Sequence, residues 1–154
     1  MSMLHEEDTS TKAYVFLQRD DKVLFVRDKD RPDFKLPGGR VEKGELVTEG
    51  ALREVLEETG YTTELMDVVG LQNYVNKRGN AIVRFYFRGT IVGGSERIQE
   101  EEIEEIRWCT KKEIQEMIDM NKTLTQYSHI LKKYLSGSMH DLTMLEHVVL
   151  PEKI

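Results

Sequence analysis

The chain is poor in the residues that would point to several common functions. Its one cysteine, Cys109, cannot close an internal disulfide, and no second thiol is present to build a thiolate zinc site. No apolar run reaches the roughly 18 residues of a membrane span, and "MSMLHEEDTS" has neither the basic region nor the apolar stretch of a secretory leader. A cytoplasmic protein with no membrane contact is therefore expected. Positive charge is also short: 22 Lys and Arg against 28 Asp and Glu leave a net charge of −6. With a pI near 5.3 there is no basic stripe to displace counterions, so duplex nucleic acid is excluded as a partner. A small phosphorylated molecule stays open, provided cations mediate the contact.

What is present suits an ordinary globular chain. The 154 residues are 39% hydrophobic and 32% charged, without repeats, low-complexity tracts or a long linker. One domain over 1–154 is expected, with residues 137–154 an extension of undetermined role. "AYVFLQ" (13–18) and "KVLFVR" (22–27) flank "RDD" and read as a hairpin. A Gly-, Pro- and Asp-rich loop follows, interrupted by a brief strand at Phe34 to Leu36. Helical spacing of Val47, Ala51, Leu52, Val55 and Leu56 predicts a helix from Leu46 to Thr59, capped by Gly60.

Two further runs, 65–75 and 81–92, flank "NKRGN" and predict a second hairpin. There Val83, Phe85 and Phe87 alternate with Arg84, Tyr86 and Arg88, so the Val/Phe side is expected to face inward. A strand at Ile106 to Cys109 precedes Thr110 and Glu113, which have the form of a capping box for a helix to about Asp119. Another helix is expected from Thr125 to Leu135, and the tail "DLTMLEHVVLPEKI" reads equally as a last strand or a docking segment. Hairpins mixed with helices favour a layered α/β or α+β fold.

The stretch "REVLEETG" (53–60) is the unusual one. Glu54, Glu57 and Glu58 fall three and four positions apart, where a helix stacks them on one face at a cost of roughly 0.2–0.5 kcal/mol per like-charged pair. Arg53 offsets only part of this. The glycines upstream fit no standard phosphate loop: Glu45 stands where a Walker loop needs lysine, and Gly38 and Gly39 are adjacent, which forbids G-x-G-x-x-G. "DKDRPD" fails as a calcium loop because Asp33 occupies the glycine position. Gly38 and Gly39 are thus turn-makers that let backbone approach a ligand. Mg²⁺ takes one or two carboxylates, retains water and shares substrate phosphates, so a divalent cation between this turn and the glutamates would relieve the repulsion. A glutamate cluster is more often a solvated face and a Gly-Gly more often a simple turn; the combination is what points to a site.

"GRVEKGELVTEGALREVLEETGY" (39–61) resembles the Nudix box, G-x5-E-x7-R-E-U-x-E-E-x-G-U, with U a bulky aliphatic. Gly39, Glu45, Arg53, Glu54, Val55, Glu57, Glu58 and Gly60 are in register, and "LPG" precedes them as is usual in that family. Only Tyr61 departs, at a position expected to bury its ring. The resemblance implies an α/β/α sandwich around a mixed, largely hairpin-built sheet. It also implies a pyrophosphohydrolase, dependent on Mg²⁺ or Mn²⁺, that cleaves a nucleoside diphosphate linked to another group by water attack on phosphorus.

By position, Glu57 and Glu58 would be the main metal ligands, with a carbonyl of Gly38 or Gly39. Glu54 would be a further ligand or the base, and Arg53 would hold the glutamates. Glu45 would support the loop. A carboxylate outside the box often assists in the family; among Glu100, Glu101, Glu102, Glu104 and Glu105, Glu102 is preferred. Arg84, Tyr86 and Arg88 could grip substrate, although an exposed sheet face explains them equally. His5, His129, His140 and His147 are scattered and read as surface or packing residues. The family's ADP-ribose hydrolases usually carry a proline downstream of the box, and none occurs here between Pro37 and Pro151, which argues against that substrate. A silent nucleotide-binding module and a hydrolase of non-nucleotide diphosphates remain competing readings, and the oligomeric state, a homodimer included, is left open.

Overall fold

The computed structural model describes residues 9–123 and 125–152. Strands β1 (Thr9–Arg19) and β2 (Lys22–Asp28) form the first expected hairpin, in register at Gln18↔Val23 and Arg19↔Lys22. Its turn holds Asp20 at φ 56, a left-handed conformation that Asp tolerates better than most side chains. Away from the turn the two strands separate and each takes other partners. β1 pairs in parallel with β6 (Ala81–Gly94), from Thr9↔Ala81 to Gln18↔Thr90, and antiparallel with the short β4 (Gly38–Arg40). β2 pairs with β3 (Phe34–Lys35) and with β7 (Ile103–Thr110).

The second hairpin joins β5 (Tyr61–Val75) to β6 and is longer than expected, because β5 starts directly after the helix C-cap. Gly93 and Gly94 extend β6 to pair with Thr62 and Tyr61. The sequence hid this extension behind two glycines, which weaken a strand pattern. The path β3-β2-β1-β6-β5-β8 gives the expected mixed sheet, with β8 (His140–Asp141) at its edge.

Helices cover both faces. Helix α1 (Val47–Thr59) buries Ala51 and Val55 with Ala13, Val15, Leu17 and Phe87. On the other face α2 (Lys111–Asp119) and α3 (Thr125–Leu135) place Ile114, Ile130 and Leu131 with Tyr14, Phe16, Phe25 and Tyr86. The expectation of a single inward side on β6 is corrected accordingly. Phe87 is fully buried, but Arg84 and Tyr86 are buried too, whereas Val83 and Phe85 are only half-buried. A central strand sandwiched between two helical layers has no solvent side, so alternation there separates two interiors.

Helix ends follow their local chemistry. The Thr110 hydroxyl accepts from the Glu113 N–H at 3.2 Å, and the Glu113 carboxylate accepts from the Thr110 N–H at 3.1 Å, completing the expected capping box. The tail supplies β8, paired with Asp67 and Val68, then a 3-10 turn at Leu142–Met144. It ends with Val148, Val149 and Leu150 exposed. Among the described residues no helix is long and apolar enough to cross a membrane.

Candidate active site

Helix α1 starts at Val47, with the Leu46 N–H donating to the Glu49 carboxylate at 3.0 Å. It stops at Gly60, whose φ of 81 is left-handed and whose N–H donates to the Leu56 carbonyl at 2.9 Å. A Cβ there would stand 2.3 Å from the Ser95 carbonyl oxygen, so the box glycine is sterically required. Tyr61 is buried as expected, and its hydroxyl meets Arg19 and Glu96. Leu56 is half-exposed, so the apolar stripe is narrower than its spacing suggested. Glu58 takes an inward position instead.

The three glutamates sit in different environments. Glu57 is 45% exposed at its side chain, Glu54 18% and Glu58 only 5%. Glu58 Oε2 accepts from the Gly38 N–H at 2.9 Å, and its Oε1 lies 3.7 Å from Lys35 Nζ. Burial pushes the Glu58 carboxyl up to about 8 despite that lysine and that hydrogen bond. Glu54 is also raised, chiefly by burial. Gly39 packs on Glu54: a Cβ would come within 2.9 Å of its carboxyl carbon. Gly38 and Gly39 thus lie in strand β4 rather than in the expected turn, and this side-chain-free stretch abuts the acidic ridge.

Arg53 crosses that ridge. Its Nε and Nη2 donate to Glu45 at 2.7 and 3.0 Å, its Nη1 to Glu54 and Glu57 at 3.2 Å each, and Nη2 also to the Arg40 carbonyl at 3.0 Å. The Arg53 hydrogen bonds hold Glu45 below the usual carboxylate range. Glu45 Oε1 also accepts from the Glu42 N–H. The room left by Gly50 goes to Glu45 Oε1 and Val41, not to the three ridge carboxylates. Among the described residues no three acidic, histidine or cysteine side chains converge as a ready metal cage, and Arg53 and Lys35 are the counter-charges of these carboxylates.

The other predicted residues are dispersed. Glu102 is exposed in the turn before β7, where its carbonyl accepts from the Lys29 N–H at 2.9 Å, and no described contact joins its carboxylate to α1. Arg88 is engaged by Asp67 in a two-pronged ion pair, with Nε to Oδ1 at 2.7 Å, which is a structural task. Arg84 and Tyr86 are in the interior rather than on the exposed face that was one expectation, and Arg84 Nη1 donates to the Tyr86 hydroxyl at 3.3 Å. His129, His140 and His147 are exposed; His5 lies outside the described residues. Sequence reasoning missed Lys35. Its signal is a cross-strand proximity that no linear spacing announces.

The NUDIX domain family profile matches residues 9–129. The chain belongs to the Nudix family. A Bacillus subtilis (strain 168) Nudix relative, provisionally named an 8-oxo-dGTP diphosphatase, is 36% identical over 96 residues, which are 62% of each chain. An ADP-ribose pyrophosphatase of Methanocaldococcus jannaschii is 27% identical over 124 residues, 77% of this chain and 69% of the relative. The chain thus matches somewhat under two thirds of the Bacillus protein. Among solved structures, a NUDIX hydrolase from Nitrosomonas europaea superposes with a TM-score of 0.78 at 24% identity, covering 91% of this chain and 97% of that one, which supports the fold.

Nudix hydrolases in general use divalent metal ions, and the residues here fit one. The carboxylates beside Gly38 and Gly39 offer hard oxygen donors, and Gly39 leaves a cradle that any Cβ would fill.

Proposed function

We propose that this Nudix domain is a metal-dependent pyrophosphohydrolase that cleaves a nucleoside diphosphate linked to a further group. The supporting observation is the ridge itself: carboxylates graded from exposed Glu57 to buried Glu58, packed against Gly38 and Gly39. Glu57 and Glu58, with Glu54 and a Gly38 or Gly39 carbonyl, would hold Mg²⁺ or Mn²⁺. When bound, such ions neutralise phosphoryl oxygens and make water more acidic.

The chain's own groups do the positioning. The Gly38 N–H fixes one Glu58 oxygen, and Lys35 limits the charge that accumulates around the other. Arg53 spans Glu45, Glu54 and Glu57, so one guanidinium sets the spacing of three carboxylates. Glu54, half-buried and with a raised proton affinity, is suited to take the proton from an attacking water. Named activities of the relatives, on 8-oxo-dGTP and ADP-ribose, both break a phosphoanhydride of a nucleotide and support this class. The absence of proline between Pro37 and Pro151 argues against ADP-ribose as the substrate.

The test is a Glu57→Gln, Glu58→Gln double variant assayed with Mg²⁺ and Mn²⁺ against nucleoside triphosphates, nucleotide sugars and dinucleotides. Loss of product formation with an unchanged circular-dichroism spectrum is expected. Turnover close to that of the unaltered protein refutes the assignment.

A further inference from the structure

Three cations stand side by side in the sheet next to the ridge. Lys12 on β1 is in register with Arg40 on β4 and, on its other side, with Arg84 on β6. Directly paired residues project from the same face, and like charges placed so are destabilising. The Lys12–Arg84 pair therefore carries a cost that something should offset. Neither Lys12 nor Arg84 has a carboxylate partner among the described residues.

Arg84 is the sharper anomaly. It is 6% exposed, and its Nε is buried with no hydrogen-bond partner. Its guanidinium is held by ring faces, 5.0 Å from the Tyr14 centroid, 5.4 Å from Tyr74 and 5.3 Å from Tyr127. Aromatic faces attract a cation without cancelling its charge, so the positive charge persists in the interior. Lys12, half-buried beside it, has its ammonium proton loosened by burial and by Arg84, Lys35 and Arg40.

The row also points to where its counter-charge comes from. Arg40 follows Gly39, the residue packed on Glu54, and its carbonyl accepts from Arg53. The Lys35 ammonium lies 3.7 Å from Glu58 Oε1 and also repels Lys12. The row therefore lies on the sheet face that carries Tyr14 and Tyr86, opposite α1, and Lys35 is the cation that links it to the ridge.

We propose that the Arg40–Lys12–Arg84 row docks a phosphoryl group of the substrate beyond the pyrophosphate handled at the ridge, so that the site favours a nucleoside triphosphate over a nucleotide joined to an uncharged group. This rests on the proposed hydrolysis, but its first test does not require turnover. Inorganic tripolyphosphate is titrated calorimetrically in EDTA into the unaltered protein and into Lys12→Met and Arg84→Lys variants. The unaltered protein should bind, and Lys12→Met should weaken binding about tenfold or more, the loss expected for one charge-assisted contact. Arg84→Lys keeps the charge but loses the planar fork, and should weaken binding as well.

No binding by the unaltered protein, or equal affinity in Lys12→Met, overturns the proposal. With Mg²⁺, Lys12→Met should raise KM for a nucleoside triphosphate more than for a nucleotide sugar; an equal rise for both overturns it too. Ligand-free Lys12→Met should melt no lower than the unaltered protein, because a like-charge neighbour has been removed. A clear drop in melting temperature would make Lys12 a structural cation and reject the docking role. If no substrate is hydrolysed at all, the proposed activity fails while the tripolyphosphate titration still decides the row.

Discussion

Two charged clusters lie within a few residues of each other, and the protein treats them in opposite ways. The acidic ridge on α1 is met by the chain's own cations: Arg53 reaches Glu45, Glu54 and Glu57, and Lys35 reaches Glu58. In the cationic row Arg84 is met by tyrosine rings, and neither it nor Lys12 has a carboxylate partner among the described residues. Placed counter-charges let a cluster sit assembled and partly balanced before any ligand arrives. Ring faces keep Arg84 positive and desolvated, which leaves its electrostatic demand unmet. Changes in the ridge should therefore act on the rate of the chemical step, and changes in the row on the binding of charge.

The largest effect that would test this contrast is the double glutamine variant of Glu57 and Glu58, which should lose more than the roughly 10–100-fold that altering a mere supporting partner costs. Next is Arg53→Met. It leaves all four carboxylates in place but removes the group that spaces them, and a loss of about 10–100-fold in kcat is expected from a supporting partner of this kind. If Arg53→Met raised KM and left kcat alone, the guanidinium would belong with the substrate-binding cations and the contrast would fail.

A smaller effect separates the clusters by pH. Folding raises the Glu58 carboxyl to about 8, against roughly 4.3 for an unfolded glutamate. Between those values the native state retains a proton that the unfolded state has released. Stability in EDTA should therefore decline as pH rises through that window. Glu54 contributes in the same sense, so the informative quantity is the difference between the unaltered protein and Glu58→Gln, whose melting temperature should fall less steeply from pH 5 to pH 8. Lys35, whose proton affinity Glu58 and Asp28 raise against the effect of burial, stays charged across the window. Parallel pH curves for the two proteins would mean that Glu58 is not charged at a cost.

The two clusters also differ in how readily the sequence revealed them. Glu54, Glu57 and Glu58 lie within about one helical turn, so spacing alone placed them together, and the end of α1, the start of α2 and the turn of the second hairpin followed from Gly60, Thr110 and "NKRGN". The row was illegible for the opposite reason. Lys12, Arg40 and Arg84 are far apart in the chain and meet only because β1 pairs in parallel with β6 and antiparallel with β4. No local pattern encodes such a register. Alternation on β6 misled for a related reason: a strand covered on both faces hides Arg84 as thoroughly as Phe87.

The smallest effect concerns how the row is held. Tyr74 is half-buried on β5, and its ring is one of three against the Arg84 guanidinium, at 5.4 Å. Tyr74→Leu keeps apolar bulk over the charge but removes the quadrupole that attracts it. A loss of about 0.5–1 kcal/mol in urea unfolding is expected from one partly exposed cation–π contact. Repeating the change in an Arg84→Met background should cancel most of that loss, since a double-mutant cycle isolates the pairwise part. An undiminished loss in that background would assign Tyr74 to packing alone, and the cation would then rest on Tyr14 and Tyr127.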